Sequence, residues 1–121
     1  MKTVTIDGVE YVKKDDIKSL EKAPQVDGLD YCIVRTNRAG VFAGYLESLE
    51  DQKGIVINSR MIWYWEGACA LSQLAVDGTN KPENCKFTVE VEKRILTDVI
   101  EVIPCTLKAH KSFEEVVIWK K

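Results

Sequence analysis

The densest chemistry in this sequence lies between residues 35 and 65. Arg35 and Arg38 flank Asn37, Ala39 and Gly40 follow, and Arg60 precedes the tripeptide Trp63-Tyr64-Trp65. Guanidinium forks hold phosphate oxygens bidentately. Turns that contain glycine offer backbone N–H groups to anions. Aromatic faces stack on bases. These are the groups a nucleotide pocket needs. The candidate ligand-binding set is therefore Arg35, Asn37, Arg38, Ala39, Gly40, Arg60, Trp63, Tyr64, Trp65 and Lys108. Lys108 enters because few arginines follow Arg60, so Lys108 or Lys111 has to help with phosphate. The same residues have plainer uses: a Trp-Tyr-Trp stretch also serves as half core and half interface, and turn arginines also stand as solvated charges. Both readings stay open at this point.

Enzyme templates do not fit. The one histidine, His110, lies in the basic stretch Lys108-Ala109-His110-Lys111 and reads as a solvated loop residue. No serine or cysteine motif points to it. There is no GxxxxGK[ST] and no GxGxxG. Glu114 and Glu115 would face opposite ways on a strand, which makes a poor acid–base pair. Cys32, Cys69, Cys85 and Cys105 are too far apart for a CxxC knuckle and read as free, mostly buried thiols. The expectation is a protein that binds without catalysis and needs neither metal nor cofactor.

Composition narrows the partners. A chain of 121 residues fits one domain. With 45% hydrophobic residues and a net charge of −2 it is built to fold. It lacks the basic excess of a protein that binds DNA or RNA duplexes. No apolar run approaches the roughly 18 residues of a membrane span. The longest, from Val99 to Leu107, is broken by Glu101. The first residues lack the apolar stretch of a signal peptide. These features point to a soluble intracellular protein without a membrane partner.

The elements that must position these side chains are mostly strands. Thr3 to Val12 reads as a hairpin about Asp7-Gly8. Ile17 to Ala23 reads as a short helix stopped by Pro24. A linker from Gln25 to Asp30 parts this N-terminal piece, residues 1–24, from a main sheet over residues 31–121. Strands are predicted at Tyr31 to Thr36, Val41 to Ser48, Ile55 to Asn58 and Arg60 to Trp65. Gly40 and Gly44 suggest a bulge or close backbone approach. Ala68 to Val76 has helical spacing, with Gly78 as its stop. Further strands are predicted at Lys86 to Glu92, Asp98 to Leu107 and Glu115 to Trp119. The fold class is α+β: a bent, mostly antiparallel sheet of about seven or eight strands with two short helices, in a single domain. Long strands without obvious edge protection, beside the aromatic excess at residues 63–65, suggest a homo-oligomer.

Four segments carry a resemblance: Arg35-Thr36-Asn37-Arg38-Ala39-Gly40-Val41-Phe42-Ala43-Gly44, Arg60 to Ala68 (RMIWYWEGA), Leu71-Ser72-Gln73-Leu74-Ala75, and Lys86-Phe87-Thr88-Val89-Glu90-Val91. Over residues 31–119 the chain resembles a family of small proteins encoded by phages and prophages, and through it the Thoeris anti-defence sponges. That resemblance implies sequestration of a cyclic ADP-ribose-type signal, or a cyclic oligonucleotide, in the host cytoplasm. It also implies self-association and no cleavage of the ligand. A phage structural or protein-interaction module without a small ligand is the alternative.

Overall fold

The computed structural model describes residues 21–120 of the chain. The predicted hairpin at Thr3 to Val12 and the start of the predicted helix at Ile17 lie outside these residues. Residues 21–23 are not helical: Lys22 forms an isolated antiparallel bridge with Thr106, and Ala23 is buried.

The fold is mixed α+β: the described residues form a mostly antiparallel sheet of six strands and two helices. The strands are β1 (Asp30–Thr36), β2 (Val41–Glu50), β3 (Lys53–Tyr64), β4 (Lys86–Phe87), β5 (Val91–Leu96) and β6 (Val99–Pro104). The helices are α1 (Leu71–Asp77) and α2 (Leu107–Glu114), with one 3-10 turn at Pro82–Asn84. The strand order is β4-β3-β2-β1-β6, and β5 also pairs with β3.

β3 organises the sheet. The sequence splits it in two, at Ile55 to Asn58 and Arg60 to Trp65, because Asn58-Ser59-Arg60 interrupts the apolar alternation. The structure runs it unbroken to Tyr64. Asn58 takes a left-handed φ of 48° at a register shift against β2, which absorbs the extra residue. Ser59 is fully buried and accepts a hydrogen bond from Arg94 Nε at 2.8 Å. Gly44 lies opposite, and a Cβ there would stand 2.6 Å from Ser59 Cβ. The glycine is therefore a close approach, as expected. The far edge of β3 holds two strands in series, with Gly54 to Ser59 against β5 and Ile62 to Tyr64 against β4. The predicted strand Lys86 to Glu92 is divided accordingly.

The sheet curls. β5 lies at one edge and β6 at the other, yet only Thr97 and Asp98 join them. Inside the curl, Cys32, Val34, Phe42, Val56, Leu96 and Val99 form one core. On the other face Tyr31, Ile33, Ala43, Ile62 and Phe87 pack against Leu74 and Ala75 of α1 and Ala109 and Phe113 of α2.

Helix α1 begins three residues later than predicted and ends at Gly78, whose N–H donates to Leu74 O at 2.9 Å. Gly78 has φ 72°, and a Cβ would meet Ser112 Oγ of α2. This contact explains why glycine alone serves there. Helix α2 corrects two expectations. The stretch Lys108 to Lys111 is helix rather than loop, N-capped by Thr106, whose side chain accepts from Ala109 N–H. Glu115 to Trp119 is not a strand: it holds a single parallel bridge between Phe87 and Ile118.

Candidate functional site

The ten predicted residues are distributed over several places. Arg35 pairs across the sheet with Glu101, Nε to Oε1 at 3.2 Å, on the surface. The turn from Asn37 to Gly40 is closed by internal bonds. Gly40 N–H donates to Thr36 Oγ1 at 2.7 Å, and Asn37 N–H donates to Asp98 O at 2.9 Å. Arg38 N–H donates to Asp98 Oδ2 at 2.8 Å. The carboxylate of Asp98 thus occupies the position an anion would take. Asn37, Arg38 and Ala39 line a hollow of about 580 Å³ with Gln52 and residues 95–98.

Arg60 lies elsewhere. Its Nε donates to Thr88 O at 3.0 Å, Nη1 to Phe113 O at 3.3 Å, and Nη2 to Phe87 O and Val117 O at 3.1 and 3.3 Å. The guanidinium also sits 5.3 Å from the Phe87 ring centre. Burial pulls its pKa below the ordinary arginine value. This residue clasps β4, α2 and the C-terminal segment together. The sequence suggests an arginine that the core does not need; the structure uses it as a clamp.

The aromatic tripeptide is divided. Strand β3 ends at Tyr64, so Trp65 leaves the sheet. Its Nε1–H donates to Ala68 O at 3.2 Å and its ring packs on the core. Trp63 remains 53% exposed and Tyr64 also faces solvent. The short strand β4 places Lys86 opposite Tyr64. On the other edge of β4, Trp119 N–H donates to Phe87 O at 2.9 Å. Lys86 is thereby set among three rings. Its Nζ lies 5.4 Å from the centres of Trp63 and Trp119 and 5.9 Å from that of Tyr64. Trp63 and Trp119 stack at 4.8 Å with a 23° interplanar angle.

Beside this group Tyr64, Lys86, Trp119 and Lys120 line a hollow of about 460 Å³ with Glu66 and Glu83. The Tyr64 O–H donates to Glu66 Oε2 at 2.7 Å. That bond raises the phenol's pKa and lowers that of the carboxylate. Lys108 stands exposed in the first turn of α2. Trp119 and Lys86 are the members that sequence reasoning missed. Trp119 was hidden because the alternation at 115–119 reads as an ordinary strand. Lys86 was hidden because its neighbours are assembled only by the two-sided pairing of β4.

Among the described residues, no group of three or more His, Cys, Asp or Glu side chains gathers as a metal site. No helix among them is long and apolar enough to cross a membrane.

A family model described as a domain of unknown function, DUF6948, matches residues 29–113, and the chain belongs to that family. No curated protein and no solved structure matches it.

Proposed function

We propose that this DUF6948 member is a non-catalytic binder of a nucleotide-type ligand, with the wall formed by Trp63, Tyr64, Lys86 and Trp119 as its recognition surface. The observation that carries this reading is the stacked tryptophan pair, Trp63 exposed and Trp119 half-buried, with an ammonium group 5.4 Å from both ring centres. Base stacking on such rings contributes about 1–3 kcal/mol per base. Lys86 and Lys120 supply charge for phosphate. The phage resemblance supports a finer form: a sponge that holds a cyclic ADP-ribose isomer, or a cyclic oligonucleotide, in the host cytoplasm and so suppresses host antiphage defence. Sequestration needs affinity and no turnover, which accords with the missing catalytic templates.

Thermal shift and calorimetry with cyclic ADP-ribose isomers, cyclic dinucleotides and linear ADP test the reading. A ligand at a thousandfold excess over Kd stabilises the fold by about 4 kcal/mol. Chromatography after incubation should return the ligand intact. Failure of every nucleotide to stabilise the protein at millimolar concentration rejects the proposal.

A second reading is favoured by the apolar residues that flank the same wall. Val117 is 77% exposed and Ile118 52%. Exposed aliphatic side chains beside aromatic rings suit a protein interface, and a second copy of this chain is the partner proposed. A mass of 13.7 kDa by light scattering at micromolar concentration would reject self-association.

A further inference from the structure

A smaller hollow, distinct from the aromatic wall, lies where α2 crosses the sheet. Its volume is about 250 Å³, and it is lined by Tyr31, Tyr45, Asn58, Arg60, His110 and Phe113, with Glu90 and Glu114. This is below the roughly 300–1,000 Å³ of sites for drug-sized ligands.

Its walls are held rigidly. The Tyr31 ring lies 4.2 Å from the His110 ring and 5.1 Å from that of Tyr45. Arg60 is fixed by its four carbonyl bonds, which among the described residues leave one of its five N–H groups, on Nη1, without a partner. The hollow is also left incomplete. Tyr31 is only 8% exposed, yet among the described residues its hydroxyl has no hydrogen-bond partner. Buried hydroxyls without a partner are uncommon in folded proteins, and each calls for an explanation. Burial pushes this phenol well up from its ordinary value, so it remains an O–H donor at neutral pH.

The charges sort the ligand. A simple anion would meet the spare Arg60 N–H and the Tyr31 hydroxyl, but also the carboxylates of Glu90 and Glu114. A simple cation would suit those carboxylates and the faces of Tyr45 and Phe113. It would also face the fixed guanidinium and leave the buried phenol unpaired. A molecule with both charges suits the Tyr31–Arg60 pair and the two carboxylates together. We propose that this hollow binds a small zwitterion of the α-amino-acid type. Its carboxylate is received by Tyr31 and Arg60, and its ammonium by Glu90 and Glu114. His110 Nε2 lies 3.8 Å from Glu114 Oε2 at the rim of the hollow.

The test is a thermal-shift screen of the free amino acids at millimolar concentration, followed by calorimetry on any hit. Acetate, inorganic phosphate, methylamine and putrescine serve as single-charge probes. At least one amino acid should stabilise the protein, and no single-charge probe should match it. Tyr31→Phe removes one oxygen and keeps the ring; Glu90→Gln changes an exposed side chain. Each should weaken binding by roughly tenfold or more, the scale of one lost charge-assisted contact. Trp119→Ala should leave this affinity unchanged, which separates this site from the aromatic wall. The proposal is overturned if no amino acid stabilises the protein. It is equally overturned if acetate or methylamine acts as strongly, or if Tyr31→Phe and Glu90→Gln both bind as the unmodified protein does.

Discussion

Arg60 and Lys86 are each a cation set against aromatic rings on the same part of the sheet, and they do opposite things. Arg60 lies 5.3 Å from the Phe87 ring, with four N–H groups engaged by carbonyl oxygens from β4, α2 and the segments that follow them. Lys86 stands over three rings, and among the described residues its ammonium has no ion-pair or hydrogen-bond partner. Residue type alone does not assign a role; the state of the donors does. Arg60 spends four of its five N–H groups on the fold and has at most one to offer, whereas the whole Lys86 ammonium is available to a ligand.

Removing each cation in turn tests the contrast directly. Arg60→Ala leaves the carbonyls of Phe87, Thr88, Phe113 and Val117 without their donor. It should cost about 3 kcal/mol by denaturant unfolding, given the usual strength of bonds to charged groups and their non-additivity. Lysine at position 60 should not restore it, since one ammonium cannot span four acceptors. A loss below about 1 kcal/mol would show that the clamp does not hold the fold.

Trp119→Ala comes next. The ring is half-buried, so a loss of about 1.5 kcal/mol is expected from lost apolar contact. Nucleotide binding should weaken by roughly tenfold or more in the same variant, the scale of one base stack. Equal affinity in the variant would remove the wall from consideration.

Alkaline titration compares the two tyrosines. Burial raises Tyr31, whereas Tyr64, in solvent, is raised chiefly by its bond to Glu66. A phenol is neutral when protonated. A folded value above the unfolded value of about 10 therefore contributes stability below that pH, and the contribution is lost as pH rises beyond it. Cys32, pushed up to about 11 by burial, acts in the same direction from about pH 9 upward. Stability should decline steadily above pH 9, with Tyr31 absorbing as phenolate only on unfolding. In Tyr31→Phe the decline above pH 10 should be shallower.

The smallest effect belongs to Lys86→Ala. Its stability should lie within about 0.5 kcal/mol of the parent, because exposed cation–π contacts contribute little. Its affinity for a phosphate-bearing ligand should still fall. A large stability loss would place Lys86 with Arg60 and erase the contrast.

Much of the fold was legible in the sequence. Strands β1 and β2 follow apolar runs bounded by turns, and Gly78 marks the end of α1. Helix α2 was not, because only Ala109 and Phe113 of its eight residues are buried, too few to show a 3.6-residue stripe. β3 was read as two pieces because its polar centre is satisfied by tertiary partners, Arg94 for Ser59 and four carbonyls for Arg60. By residue type the sequence pointed to Trp63, Tyr64 and Arg60, of which the first two lie on the candidate wall and Arg60 does not. Their separation from one another, and the arrival of Trp119 and Tyr31, depend on contacts between distant segments that no local pattern encodes.

The curl has a consequence for biosynthesis. β1 reaches the solvent early, paired on one side by β2, but its other neighbour is β6, near the far end of the chain. Until β6 has been made, Ile33 and Val34, both fully buried in the finished fold, lie along an open strand edge. A nascent chain stalled before Val99 therefore displays a sticky edge. The two-residue link at Thr97-Asp98 acts as a clasp: it carries the chain from β5 to β6, and β6 covers that edge.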